Sequence, residues 1–305
     1  MYPYLNLGLM HLGTFGLLLW LAAVASTVAI YKNFERNGVD VDALNLVATV
    51  VVAGVIGAKV WHELENVREL HYALQEIGRP GWHHPTQVLT AFLGWFRAGF
   101  AWFGGMTASI VALLLAGHWA HFKGPGWKSV DDPGTVLGAR LGAMRMLDLA
   151  APATALGYGV GRIGCLLAGD GDYGINTTLP WGVHMMHGAD EYHRALVLPT
   201  PPDALVQPTP IYELLFSLAL FWLLWQLGKR AKPVGLLTGL YLALSGVGRF
   251  LVEYVRINPK LYFHDSMSNA QVAAATSILL GLIVITAALI ARVPWTPVQT
   301  AETKA

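Results

Sequence analysis

Along this chain, long apolar blocks alternate with short polar ones. A helix needs about 20 apolar residues to cross the hydrocarbon core of a bilayer. The blocks predict spans at roughly Gly8–Tyr31, Ala43–Trp61, Val88–His118, a fourth within Gly134–Gly169, then Thr209–Leu227, Val234–Tyr254 and Ala270–Ala291. The third block is long enough for a tilted span preceded by an interfacial turn near Arg97. The fourth is expected to be broken by Pro152 and its many glycines. Two longer polar segments interrupt the series, about 62–87 (with HELENVREL and RPGWHHP) and 171–208, rich in Pro and His. The first apolar run lacks a basic leader and merges into a full-length span, so no cleavable signal peptide is expected. There is no repeat, low-complexity stretch or linker, and residues 1–305 read as a single polytopic transmembrane domain.

Composition agrees with this pattern. The 305 residues are 54% hydrophobic and 13% charged, with a mean hydropathy of +0.48; soluble domains carry about 25% charged residues. Eleven Trp suit membrane interfaces. A net charge of +1 with no basic, aromatic-interleaved patch speaks against nucleic acid as a partner. The lone cysteine, Cys165, rules out an intrachain disulfide and a CxxC metal site.

Lys and Arg between the spans set the orientation. Lys32 and Arg36, Lys123 and Lys128, and Lys229, Arg230 and Lys232 fill the first, third and fifth connections, and Arg292 and Lys304 follow the last span. The other side carries Arg68, Arg79, Arg194 and Lys260. This asymmetry puts the N-terminus outside and the C-terminus in the cytoplasm. That needs an odd number of spans, and seven fit: the predicted class is an all-α integral membrane protein with seven transmembrane helices.

Charges inside such segments are costly and need a reason. Lys59, Arg97 and Arg256 lie near span ends, where snorkelling explains them; Arg140 and Arg145 fit a cytoplasmic entrance to the fourth span. Arg162 and Arg249 are harder to place this way. Arg162 sits in GYGVGRIG, whose formal GxGxxG (Gly159 to Gly164) has no preceding strand and reads as small-residue helix packing. Arg249 and Glu253, four residues apart in GVGRFLVEYVR, share a helix face and can form an intrahelical ion pair. Glu213, in QPTPIYELLF, lies near a helix N-terminus, where the dipole favours an acid. With Asp170, these groups fall at the outer ends of three spans. Two arginines facing one cavity need acids or an anionic ligand between them, and the guanidinium fork suits phosphate oxygens. A phospholipid head group in an outward-facing, lipid-accessible cavity satisfies that requirement.

At GRIGCLLAGDGDYG followed by LPWGV, at QPTPIYELLF and at GRFLVEYVR, the chain resembles the prolipoprotein diacylglyceryl transferase family. Weaker likenesses are LGTFGLLLWL, GAKVWHELEN and FAWFGGM, all in the family's order and spread over nearly the whole chain. The resemblance implies a multi-pass enzyme of the bacterial cytoplasmic (inner) membrane with its active site toward the outer leaflet. Its partners are membrane lipids: it moves the diacylglyceryl group of phosphatidylglycerol to the lipobox cysteine thiol of a prolipoprotein signal peptide, releasing glycerol phosphate. It further implies catalytic positions at Arg162, Arg249, Asp170 and Glu253, and substrate-binding positions at Arg162, Arg249, Glu213, Tyr212 and the paired Gly104 and Gly105. No cofactor or metal is expected.

The chain departs from the family pattern at Phe103, before Gly104–Gly105, where members carry His or Tyr, and at Phe15, where they carry Tyr. Gln207, Pro210, Cys165 and Ala168 also replace family residues. Two alternatives therefore stay open: a related glycerophospholipid-group transferase with another acceptor, and a non-catalytic lipid-binding or transport protein of the same fold. His184 and His187 read as solvated loop residues, His118 and His121 as an interfacial pair, and Cys165 as a small hydrophobe.

Overall fold

The computed structural model describes residues 4–6, 11–37, 39, 41–80, 83–97, 99, 101–119, 136–168, 173–184, 204–229 and 232–293. Among these, the helices are α1 (Thr14–Asn37), α2 (Ala43–Glu65), α3 (Val67–Gly78), α4 (Pro85–Arg97), α5 (Trp102–Trp119), α6 (Val136–Ala168), α7 (Thr209–Leu227), α8 (Leu236–Val252) and α9 (Asn269–Ala291). Five segments are long and apolar enough to cross a membrane: α1, α2, α7, α8 with its following turn, and α9. The apolar part of α5, Phe103–His118, is shorter, and α6 carries Arg145, Asp148 and Arg162.

The predicted bounds of the spans at α2, α7 and α9 agree closely with the observed helices; at α2 and α9 polar caps coincide with the starts of the apolar runs, and at α7 prolines open the helix. Asp42 accepts hydrogen bonds from the amides of Leu44 and Asn45 at the start of α2, and Ser268 with Gln271 forms a reciprocal capping box on α9.

Three expectations need correction. The Val88–His118 block is two helices, α4 and α5. The chain ends α4 at Arg97, near the expected turn, and passes through Gly99 at a φ of +67°, packed against the His62 ring. The Ala101 amide then donates to the Ala58 carbonyl. The polar segment 62–87 contains α3, with no buried residue, and the segment 171–208 contributes a two-stranded ribbon, Val183–His184 with Leu205–Val206, so the fold is mostly rather than wholly helical.

The third correction concerns Pro152, which does not break α6; the helix runs through it. Proline removes an amide donor and crowds the preceding turn. Here α1 supplies a side-chain donor to that turn, Asn33 Nδ2 to the Leu149 carbonyl (2.7 Å), and a second contact just beyond the proline, Ser26 Oγ to the Ala153 carbonyl (3.1 Å). Neighbouring helices commonly rescue prolines this way inside membranes. Ile30, Phe34, Leu46, Met146 and Leu149 pack around this junction into the main core. Arg145, read as a positive-inside residue at the start of the fourth span, is buried.

A buried acid ties α6 to α8. Asp148 is fully buried; its Oδ2 accepts the Gly235 amide (2.7 Å), and its Oδ1 accepts the Thr238 amide (2.7 Å) and hydroxyl (2.6 Å). It thus supplies the N-terminal cap that Gly235 lacks. In the α7–α8 connection, burial pushes the Lys232 ammonium down to about 8, against the opposing pull of Asp148. Asp148→Ala leaves two amides of α8 without an acceptor, and is expected to cost about 3 kcal/mol, read as a lower thermal midpoint of the purified protein.

Candidate functional site

The charged residues singled out in α6, α7 and α8 converge on one carboxylate. Glu213, in the second turn of α7, is 4% exposed, so it is no surface acid. Its Oε1 accepts Arg249 Nη1 (2.8 Å) and the Tyr158 hydroxyl (3.0 Å). Its Oε2 faces Arg162 Nε at 3.1 Å and Arg256 Nη1 at 3.6 Å, ion-pair contacts from α6 and from beyond α8. Glu213 thus binds three arginines from three parts of the chain.

Glu253 completes the network. It opens a short 3-10 turn, Glu253–Val255, after α8. Its Oε2 lies 3.1 Å from Arg249 Nη2, the expected i,i+4 pair, and 3.6 Å from Arg256 Nε. Its Oε1 accepts Asn258 Nδ2 (2.6 Å) and Ser268 Oγ (2.7 Å). Asn258 and Ser268 flank the β-ribbon Lys260–Tyr262 with Met267–Ser268. The acid therefore anchors the chain between α8 and α9.

Arg256 does not snorkel. Its backbone pairs with Gly174, and the Ile175 amide donates to the neighbouring Val255 carbonyl (2.8 Å). That pairing folds the chain back over the bundle and buries the guanidinium between the two acids. Lys59 is buried as well: it pairs with Glu63 (2.7 Å), donates to the Trp95 carbonyl at the C-terminus of α4 (2.7 Å), and lies over the Trp95 ring.

Exposure decides which cations a ligand can reach. The side chains of Arg249 and Arg162 are 24% and 16% exposed, whereas those of Arg256, Glu213 and Glu253 are 4%, 3% and 1% exposed. A low-dielectric site with two reachable guanidinium forks is matched to a single anion bearing several oxygens.

Tyr212 lies beside Glu213 in the first turn of α7. Its hydroxyl donates to Gln207 Oε1 (2.5 Å) and accepts from Trp181 Nε1 (2.7 Å), and Gln207 Nε2 reaches Thr177 Oγ1 (3.3 Å). Gly104 and Gly105 lie where α5 crosses α2. A Cβ on Gly104 would run into Gly57 and Trp61, and one on Gly105 would sit 3.1 Å from the Gly54 carbonyl. Their immediate neighbours are thus helix backbone. Asp170, His187 and His121 lie outside the described residues, as do the side chains of Arg97 and Arg140. His184 is exposed on its strand, and Cys165 Sγ lies 3.5 Å from Arg162 Nη1. Among the described residues no group of three or more metal-ligating side chains gathers.

Sequence reasoning missed Tyr158, Asn258 and Ser268 as parts of this network, and misplaced Arg256. Tyr158 precedes Arg162 by one helical turn, the single signal that placed it on the same face.

A family model for prolipoprotein diacylglyceryl transferase matches residues 3–287. The chain belongs to that family. Similar relatives include proteins named phosphatidylglycerol–prolipoprotein diacylglyceryl transferase. The one from Clostridium tetani is 26% identical over 275 residues, covering 88% of this chain and 90% of the relative. The one from Methylibium petroleiphilum is 28% identical over 253 residues, covering 82% and 77%. A second enzyme of that name from Clostridium perfringens is 27% identical over 249 residues, covering 81% and 80%.

Proposed function

We propose that this protein transfers the diacylglyceryl group of phosphatidylglycerol to the lipobox cysteine thiol of a prolipoprotein. Family membership and the relatives' names support the reaction class. The observation that carries it to particular atoms is the Arg162–Glu213–Arg249–Glu253 network, with its two reachable guanidiniums.

The chemistry follows from that arrangement. The acceptor sulfur attacks the glycerol carbon that bears the phosphate. A sulfur–carbon bond forms, the carbon–oxygen bond breaks, and its electron pair leaves on the phosphate oxygen as glycerol phosphate. The thiol proton is released to solvent, so a monoanionic phosphodiester and a thiol become a thioether, a dianionic phosphate monoester and one proton. Negative charge grows on the departing phosphate, where Arg162 and Arg249 stabilise it with preorganised donors. Glu213 holds both cations apart and in place, and Glu253 fixes the second edge of Arg249. Tyr212 and the paired Gly104 and Gly105 belong to the substrate-binding side of this reading. Asp170 is carried as a catalytic position by the family motif.

In this reading α5 and α6 join the five long apolar helices, giving seven spans in one domain with the N-terminus outside. The Lys and Arg asymmetry supports that orientation, with the protein in the bacterial cytoplasmic membrane and the site toward the outer leaflet. Phe103 and Phe15, where relatives carry polar side chains, favour a second reading: the same lipid donor with a different acceptor.

The test uses the purified protein, vesicles containing phosphatidylglycerol and a peptide bearing a lipobox cysteine. The expected result is release of glycerol phosphate together with a thioether-linked lipid on the peptide. Release without a modified peptide selects the second reading. No release at any pH overturns both.

A further inference from the structure

We propose that Tyr158 is a positioning residue for the transfer reaction, setting the orientation of Arg162 through its hydroxyl and ring. The inference rests on the transfer reading above and goes beyond it. Tyr158 is a neutral member of the network, set between an arginine and a carboxylate. Its hydroxyl donates its one proton to Glu213 Oε1 (3.0 Å) and accepts from Arg162 Nη2 (2.9 Å). Its ring lies under the same guanidinium, 4.7 Å from centroid to Cζ.

An arginine at a half-open site has several rotatable bonds and samples many rotamers unless something holds it. Tyr158 holds Arg162 in two independent ways. The ring face attracts the cation, and the hydroxyl accepts from one edge of the guanidinium. Both residues lie on α6 four positions apart, so this clamp is internal to one helix. The hydroxyl then reaches across to Glu213 on α7, the carboxylate that Arg249 of α8 grips through the same oxygen. One phenol thereby registers three helices on one another.

The hydroxyl's two bonds also do not compete with a ligand. A phosphate drawing on Arg162 and Arg249 loosens their hold on Glu213. Tyr158 keeps Glu213 and Arg162 joined while that happens. A group placed this way affects the barrier rather than ground-state binding, since small displacements of a charge-stabilising donor are felt chiefly where charge develops.

Tyr158→Phe removes the oxygen and leaves the ring. With phosphatidylglycerol vesicles and a lipobox peptide, kcat is expected to fall roughly 10- to 100-fold, while KM for the lipid stays within about threefold. The thermal midpoint should match wild type, because the packing is retained. If the midpoint falls, 3-fluorotyrosine at 158 replaces the Phe variant: it keeps the hydroxyl and the fold but accepts more weakly from Arg162, and kcat should again drop at constant KM. In the double variant Tyr158→Phe/Arg162→Lys, the loss should be about that of Arg162→Lys alone, since the hydroxyl acts through Arg162. Wild-type kcat in the hydroxyl variants, a loss confined to KM, or fully multiplicative losses in the double variant would each overturn the assignment. If the wild-type protein transfers no lipid, the transfer reading fails and takes this inference with it; a failure specific to Tyr158 shows only in an active enzyme.

Discussion

Arg249→Ala is expected to lower kcat/KM for diacylglyceryl transfer by about 10³-fold or more. Arg249 is the more exposed of the two reachable guanidiniums, and it spans both acids, at 2.8 Å from Glu213 and 3.1 Å from Glu253. Alanine removes one of the forks available to a phosphate and one of the donors facing the charge that develops as glycerol phosphate leaves. It also removes one positive charge from the site, which weakens the long-range attraction for an anionic head group. Arg249→Lys restores the charge without the fork and should recover part of the loss, leaving a deficit of about tenfold or more. Arg162→Ala should behave like Arg249→Ala. Initial rates of thioether formation over a range of lipid concentrations check this, and wild-type rates in both alanine variants would remove the head-group assignment.

Glu213→Ala should have an even broader effect, on folding as well as rate. The carboxylate is buried and lies between Arg162, Arg249 and Arg256. Without it, Arg162, Arg249 and Arg256 each lose an ion-pair contact, and breaking a buried pair from one side costs about 3–5 kcal/mol. The expected result is a thermal midpoint lowered by several degrees and transfer below about 1% of wild type, on the same scale as loss of a catalytic electrostatic contact. Glu213→Gln separates the two effects. It keeps the shape and one acceptor, so it should recover most of the stability and little of the activity. Full activity in Glu213→Gln would show that the negative charge does not organise the arginines.

These variants fall on residues the sequence singled out, and the reason is physical. A guanidinium or carboxylate within an apolar run is expensive, so its presence announces a partner, and spacing shows Arg249 with Glu253 to be one. Helix positions were legible where a polar cap ends an apolar run, as at Asp42 and Ser268. They were not where backbone geometry decides: the apolar block through residues 88–118 hides the turn at Gly99, and Pro152 looks like a break until Asn33 is seen serving its turn. Lys59 and Arg256 were misread for the same reason. Their distance from the span ends suggested snorkelling, but Trp95 and Gly174, far along the chain, fold back over them. Tyr158 carried no signal of cost, since a tyrosine in an apolar helix needs no special explanation.

The most direct measurement is a structure of the protein with phosphatidylglycerol bound in a bilayer mimetic. The account predicts phosphate oxygens within hydrogen-bond distance of both Arg162 and Arg249, on their exposed edges, with Glu213 still between the two guanidiniums. A head group bound elsewhere, with Arg162 and Arg249 paired to the acids alone, would contradict it.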